Sequence, residues 1–186
     1  MPDKDYWPLL VVAGMLLSVL LFAVYLVRRR GRRLTLPRVA RTIAVEWKQN
    51  LVLPDGVDGE IQIDHLMLTS RGLLVLDLKE VEGNIFGGDR MDEWTVIGSD
   101  RRYTFRNPQA MIFDKVAAVK RFVPDIPVIG YILFTDQAHF KKGRPEGVIT
   151  LPELNELYAP VAGTDQVLDA FRPHWERLLG MESPAA

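Results

Sequence analysis

An uncharged apolar run of 19 residues at positions 9–27 constrains this chain more than any other feature of its sequence. At about 1.5 Å of rise per residue, a helix over this run covers most of the roughly 30 Å hydrocarbon core of a bilayer. Tyr6 and Trp7 precede the run, and such amphipathic rings favour the membrane interface. The sequence therefore predicts one transmembrane helix, which contacts the lipid bilayer through residues 7–27.

The charges on either side of this run predict its orientation. Five arginines lie between positions 28 and 33, whereas only Asp3, Lys4 and Asp5 precede the run. Basic residues close to a membrane helix stay on the cytoplasmic side, so we expect the N-terminus outside and the globular domain in the cytoplasm. A cleaved signal peptide is the alternative, but it requires a basic start and a small-residue cleavage site. We therefore expect an anchor with a basic juxtamembrane segment at 1–34 and one globular domain at 35–186.

The composition of the predicted globular part limits its chemistry. The chain has no cysteine, which excludes disulfides, thiolate nucleophiles and cysteine zinc sites. Residues 1–34 carry a net charge of +4 and the remaining residues a net charge of −5. Because nucleic-acid-binding domains usually present a basic face, the acidic balance argues against such a function unless a local basic patch exists.

The order of predicted elements after residue 34 indicates an α/β core. Apolar residues at helical spacing predict a first helix that starts near Pro37 and continues to the turn at Asp55-Gly56. Asn107-Pro108 begins a second predicted helix that runs to Phe122, with an apolar face formed by Met111, Ile112, Val116, Val119 and Phe122. Strands are predicted over residues 61–69, 72–81, 94–97, 103–105, 128–134 and 148–151, a turn over 83–88, and helices over 154–158 and 166–179.

The segment from Leu73 to Lys79 is the strongest local signal for a functional site. Both faces of this strand begin apolar, which predicts a central strand covered on each side, with Asp77 and Lys79 emerging together at its end. If residues 70–72 form a hairpin, Asp64 on the preceding strand lies across from Asp77, about 5 Å away.

Two carboxylates and an ammonium group in one place suit metal-assisted phosphodiester hydrolysis. Carboxylates supply the oxygen ligands that Mg²⁺ prefers, and bound metal acidifies water and neutralises phosphate charge. A nearby lysine orients the water or stabilises developing charge. The alternative is a purely structural Asp–Lys pair at the edge of a sheet.

Several segments, taken in order, resemble the nuclease-related domain (NERD) family, a branch of the PD-(D/E)xK nuclease-like superfamily. The first are Ile63-Asp64-His65-Leu66 and Val75-Leu76-Asp77-Leu78-Lys79. Gly83-Asn84-Ile85, Trp94 and Phe105-Arg106-Asn107-Pro108-Gln109 follow, and the resemblance covers roughly residues 37–135. Asp77 stands where a glutamate is commoner. Met111 and Phe113 stand where the family often carries a glutamine.

The resemblance implies a restriction-endonuclease-like core, composed of a helix, a meander of three to four strands, a helix and a strand. It also implies that Asp64 and Asp77 bind Mg²⁺ or Mn²⁺ and that Lys79 assists the attacking water. Glu46 on the first predicted helix matches a further acidic position, with a solvated helix residue as the alternative. Gln109 is a second outer candidate.

Other residues have weaker claims to function. Strand alternation points His65 away from Asp64, which favours a packed or surface histidine. Trp94 and Tyr103 are able to stack on bases, but core packing is the favoured explanation. Lys141, Lys142 and Arg144 form a small basic loop, either solvated or in contact with a phosphate backbone.

These observations lead to one main hypothesis and two alternatives. The main hypothesis is a membrane-anchored nuclease-like domain that hydrolyses DNA or RNA with a divalent metal. The first alternative is a non-catalytic module of the same fold that binds a protein or nucleic acid at the membrane. The second is an anchored adaptor without a ligand site.

Overall fold

The computed structural model describes residues 11–12, 14–22, 34–56 and 59–182. The chain divides into two compact units, Met1–Leu34 and Thr35–Ala186. In the first unit, residues 11–12 and 14–22 are helical and carry exposed apolar side chains. The predicted membrane span lies partly outside the described residues, as do the arginines that follow it. Within the described ranges, no helix combines the length and apolar character needed to cross a membrane.

The second unit is a mixed α/β domain, whose described part contains four helices and nine strands. The helices are α1 (Leu36–Ile43), α2 (Gln109–Phe122), α3 (Leu151–Leu157) and α4 (Asp165–Leu179). The strands are β1 (Ala44–Pro54), β2 (Glu60–Thr69), β3 (Gly72–Lys79), β4 (Gly83–Phe86), β5 (Glu93–Ile97), β6 (Arg102–Arg106), β7 (Val128–Phe134), β8 (Ala138–Phe140) and β9 (Val148–Thr150).

The strands form two sheets. The first has the order β1-β2-β3-β7-β9, and the second has the order β6-β5-β4-β8. In the first sheet β1, β2 and β3 are antiparallel neighbours, whereas β7 lies parallel to both β3 and β9. This arrangement confirms the predicted α/β core and makes β3 an interior strand.

Strand β3 is buried along most of its length, as its sequence predicts. Six consecutive residues, from Gly72 to Asp77, are buried. The hairpin with β2 is confirmed, since Thr69 pairs with Gly72 and His65 pairs with Leu76. Gly72 has a φ of 114°, and a Cβ there would lie 2.3 Å from the carbonyl oxygen of Pro127. Glycine is therefore required at this turn.

The first predicted helix is wrong beyond Ile43. The chain continues as strand β1, which pairs with β2 from Ala44 opposite Thr69 to Pro54 opposite Glu60. The apolar residues Ile43, Trp47 and Leu51 are four positions apart, so their spacing fits a strand of period two as well as a helix. Because the segment pairs with β2 along its whole length, it forms a strand.

Two short strands are absent from the sequence prediction. Strand β4 occupies part of the segment predicted as a turn, and β8 lies beside it in the second sheet. Gly83 begins β4 with a φ of 125°, and a Cβ there would lie 2.5 Å from the carbonyl oxygen of Ile97. Strands of three or four residues are too short to show a period.

Helix α2 packs against the first sheet with a face that differs from the predicted one. Ile112 and Val119 are buried as expected, but Met111 is 50% exposed. Lys115 is buried in its place, only 6% exposed. The helix comes close to β7 because Gly130 has no side chain, and a Cβ there would lie 2.4 Å from Cγ2 of Val116.

The C-terminal helix α4 completes the core. Trp175 and Leu178 are 2% and 0% exposed, and both belong to the main cluster of buried residues. The segment after the second sheet is thus part of the domain's interior.

Candidate active site

The β2–β3 hairpin carries the two candidate metal-binding carboxylates. His65 pairs with Leu76, so Asp64 and Asp77 occupy the next opposed positions in the same register. The Asp77 side chain is 4% exposed, and that of Asp64 is 33% exposed. One carboxylate is therefore almost fully removed from water, and the other is reachable from solvent.

Lys79 lies two residues beyond Asp77 on the same face of β3. Its Nζ is 3.0 Å from Oδ1 and 2.9 Å from Oδ2 of Asp77. Its side chain is 33% exposed, so the ammonium group is partly solvated. The structure thus brings Asp64, Asp77 and Lys79 to one end of the hairpin.

A second lysine, Lys115 on α2, joins the two carboxylates. Its Nζ donates a hydrogen bond of 2.5 Å to Oδ2 of Asp64 and lies 3.7 Å from Oδ1 of Asp77. Burial alone would raise the pKa of Asp64, but the hydrogen bond and charge of Lys115, with contributions from Asp77 and Lys79, hold that pKa below its usual value. The site therefore contains two carboxylates and two ammonium groups.

The donor set fits a hydrated divalent cation. Oδ2 of Asp77 is buried and accepts no well-directed hydrogen bond, although the ammonium of Lys79 is close to it. Mg²⁺ binds through one or two carboxylates and keeps several waters, and Asp64 and Asp77 offer that number. The described residues contain no group of three or more histidine, aspartate or glutamate side chains able to share one metal. Water would have to fill the other coordination positions.

Glu46 lies apart from this pair. It is on strand β1 and not on a helix, and its register partner is Leu68, four residues along β2 from Asp64. At about 3.3 Å per residue that separation is roughly 13 Å. Its carboxylate accepts hydrogen bonds from Nη1 of Arg172 at 2.8 Å and from Nε1 of Trp175 at 2.7 Å.

Gln109 is also held elsewhere. It begins α2, and its Nε2 donates to Oδ1 of Asp89 at 2.7 Å and to the carbonyl of Glu146 at 2.9 Å. The hydrogen bonds from Gln109 and from the Glu146 amide hold the pKa of Asp89 below its usual value. Gln109 thus joins two loops to the start of α2, about 9 Å along the helix axis from Lys115.

The weaker candidates have structural explanations. His65 packs against Trp47 with ring centroids 5.6 Å apart, and burial lowers its pKa. Trp94 is fully buried and stacks on Phe134. Arg144 of the basic loop is paired with Glu153. The packed histidine and the core tryptophan agree with the structural alternatives stated above.

Sequence reasoning missed Lys115, although the sequence contains a signal for it. Position 115 lies three residues after Ile112 and four before Val119, so it falls on the buried face of α2. A lysine at such a position is rarely buried without a partner. The sequence does not identify that partner, because Asp64 is 51 residues away.

The fold and site together define a class of protein. A mixed sheet whose interior strand ends in an Asp-x-Lys sequence, opposite a second aspartate, is consistent with the PD-(D/E)xK nuclease-like superfamily. Residues 31–135, more than half of the chain, match the family model described as "Nuclease-related domain" (NERD). The chain belongs to this family, which confirms the resemblance drawn from its motifs.

One curated protein with a similar sequence is an uncharacterized protein of Bacillus anthracis. It is 26% identical over 82 residues, which cover 44% of this chain and 39% of that protein. The chain therefore matches well under half of the relative's length. No solved structure matches this chain.

Proposed function

We propose that this chain is a membrane-anchored nuclease-like domain that hydrolyses phosphodiester bonds of DNA or RNA with Mg²⁺ or Mn²⁺. One observation carries the proposal: Asp64, Asp77 and Lys79 lie together at one end of the β2–β3 hairpin. Membership of the nuclease-related domain family supports the same reaction class.

Each residue of the proposed site has a role that follows from its position. Asp64 and Asp77 would hold the metal. When bound, the metal would supply charge neutralisation at the phosphate and a more acidic water. Lys79 is partly exposed and adjoins Asp77, so it would orient that water or stabilise charge on the phosphate. Glu46 and Gln109 would act at a distance, by holding α4 and the start of α2.

The proposed anchor rests on the apolar run at residues 9–27 and the arginines that follow it. These predict a single-pass orientation with the globular domain in the cytoplasm. Protease treatment of intact and of lysed cells tests this, because only lysis should expose the domain. A domain digested in intact cells would contradict the orientation.

A non-catalytic module of the same fold is the second candidate. Two observations favour it: Lys115 is already bonded to Asp64, and the residues after 34 carry a net charge of −5. In this case the carboxylates would serve the stability of the fold, and the domain would bind a protein or nucleic acid at the membrane.

A cleavage assay on the full chain in detergent micelles separates these candidates. Single- and double-stranded DNA and RNA are offered with Mg²⁺ or Mn²⁺, and we expect Asp77→Asn and Lys79→Met to abolish cleavage. Asp114→Asn and Lys120→Met change exposed residues of α2 by the same chemistry and should retain it. Nucleic-acid binding without cleavage in the parent chain supports the module. Absence of both cleavage and binding leaves a protein-binding module or the adaptor.

A further inference from the structure

Lys115 is the most deeply buried charged side chain next to Asp77 in the described site. Its side chain is 8% exposed, compared with 33% for that of Lys79. Lysine is seldom buried to this extent unless an opposite charge compensates the loss of hydration. Here Asp64 and Asp77 provide that compensation, so the position of Nζ is determined by the two carboxylates.

The ammonium group lies beside both of the carboxylates that a shared metal ion would use. Nζ contacts Oδ2 of Asp64 and is 3.7 Å from Oδ1 of Asp77. A Mg²⁺ ion held by both residues needs carboxylate oxygens at about 2.0–2.1 Å, which is the space between the same two side chains. The ion and the ammonium group would therefore compete for the same two carboxylates.

The charge of the cluster also disfavours binding of a divalent ion beside Lys115. The two carboxylates are balanced by the ammonium groups of Lys79 and Lys115, so the cluster is already neutral. A divalent ion that entered without displacing Lys115 would give this neutral cluster an uncompensated positive charge in a poorly hydrated place. Helix α2 is fixed by buried Ile112 and Val119, so only the four-carbon side chain of Lys115 is free to move away.

We propose that Lys115 occupies the cation position between Asp64 and Asp77 and competes with the divalent metal for it. The inference rests on the proposed function, since it concerns the same carboxylates. It makes the parent chain a weak metal binder whose site opens only when Lys115 swings away. Removal of the ammonium group converts the pair into a permanently open metal site.

Titration with Mn²⁺ in the absence of nucleic acid tests this directly. The full chain in detergent micelles, Lys115→Met and Lys120→Met are compared by calorimetry and by the electron paramagnetic resonance signal of free Mn²⁺. We expect Lys115→Met to bind one ion at least tenfold more tightly than the parent chain. Lys120→Met removes one exposed positive charge from the same helix and should change the affinity less than about twofold. Equal affinities of the two variants would overturn the proposal.

A second variant covers the case in which Lys115→Met does not fold. Lys115→Gln keeps a hydrogen-bond donor for Asp64 but removes the charge, and it should show the same gain. Mn²⁺ should also raise the melting temperature of either variant more than that of the parent chain, because it binds the folded state. If Mn²⁺ neither binds more tightly nor stabilises either variant, the proposal is wrong.

Addition of Asp64→Asn to a Lys115 variant locates the ion. The gain in affinity should disappear, and a gain that persists would place the metal elsewhere and overturn the proposal. The cleavage assay tests the proposed function separately from this inference. Tight Mn²⁺ binding by Lys115→Met without cleavage by any variant rejects hydrolysis and keeps this inference. Cleavage by the parent chain with unchanged Mn²⁺ affinity in the Lys115 variants supports hydrolysis and rejects this inference.

Discussion

Glu46 accepts a hydrogen bond of 2.7 Å from the indole Nε1 of Trp175, 129 residues further along the chain. The bond ties edge strand β1 to the last helix, α4, and Arg172 of the same helix binds the other carboxylate oxygen. Helix α4 lies beyond the residues that match the family model, yet Trp175 is buried in the main core. The C-terminal segment is therefore an integral part of this domain.

Glu46→Ala should destabilise the domain without changing its affinity for Mn²⁺. The buried indole N–H of Trp175 would lose its acceptor, which lowers the free energy of unfolding by about 1–3 kcal/mol. Urea denaturation measures this loss, and Glu46→Gln, which keeps an acceptor oxygen, should recover part of it. Unchanged stability together with weaker Mn²⁺ binding would instead identify Glu46 as a metal ligand.

Gly130→Ala should loosen the packing of α2 on the sheet. The added Cβ would lie 2.4 Å from Cγ2 of Val116 and 2.9 Å from Cγ1 of Ile112, so the helix or the strand must shift. Overpacking of this kind costs about 1–3 kcal/mol, measurable by thermal or urea unfolding. Gly88→Ala is the control, because its nearest neighbour would be Sδ of Met91 at 3.5 Å. Equal stability of the two variants would show that α2 adjusts freely.

The start of α3 should make stability depend on pH in the acid range. Glu153 pairs with Arg144 and accepts hydrogen bonds from the amide and hydroxyl of Thr150, and together these lower its pKa from 4.5 to about 2. A lowered pKa in the folded state contributes stability above pH 4.5, which is lost as the pH falls towards about 2. Glu153→Gln should therefore be less stable than the parent chain at neutral pH, with a difference that shrinks between pH 4.5 and 2.

Urea unfolding at a series of pH values measures this difference. Glu156→Gln, a change at an exposed residue of the same helix, should show no such pH dependence. A difference in the free energy of unfolding between the parent chain and Glu153→Gln that stays constant across this range would show that the pairing of Glu153 with Arg144 is not its cause.

Much of the fold was predictable because its longer elements have clear periods and clear ends. The run from Leu73 to Leu76 reads as a covered strand, and Asn107-Pro108 marks the start of α2. The error at β1 has a physical cause, since residues four apart satisfy both a helix and a strand, and only the partner strand decides. The short strand β4 pairs with β5, but β8 pairs with β4 from a distant part of the chain, which the sequence does not reveal.

The site was predictable only where it depends on local register. A tight hairpin at residues 70–72 sets Asp64 opposite Asp77, so the sequence was enough to bring them together. The position of Glu46 depends instead on the pairing of β1 with β2, and those of Gln109 and Lys115 depend on how α2 packs on the sheet. Lys115 shows this best. Helical periodicity predicts that its side chain is buried, but only the packing of α2 on the sheet brings it next to the two carboxylates.

Lys115→Met should also destabilise the domain when no divalent metal is present. It leaves the buried Asp77 carboxylate with one ammonium neighbour instead of two and removes the hydrogen bond to Asp64, and loss of such a partner costs about 1–3 kcal/mol. Lys79→Met removes a more exposed ammonium group and should cost less. Urea unfolding in the presence of a chelator measures both losses.

A double-mutant cycle attributes the loss to the pair itself. Because Asp77→Asn removes the charge that Lys115 compensates, the double variant should lose less stability than the two single variants added together, by roughly 0.5–3 kcal/mol. Full additivity would show that the ammonium group of Lys115 does not stabilise the buried Asp77 carboxylate, and that its hydrogen bond to Asp64 is its only stabilising contact with the pair.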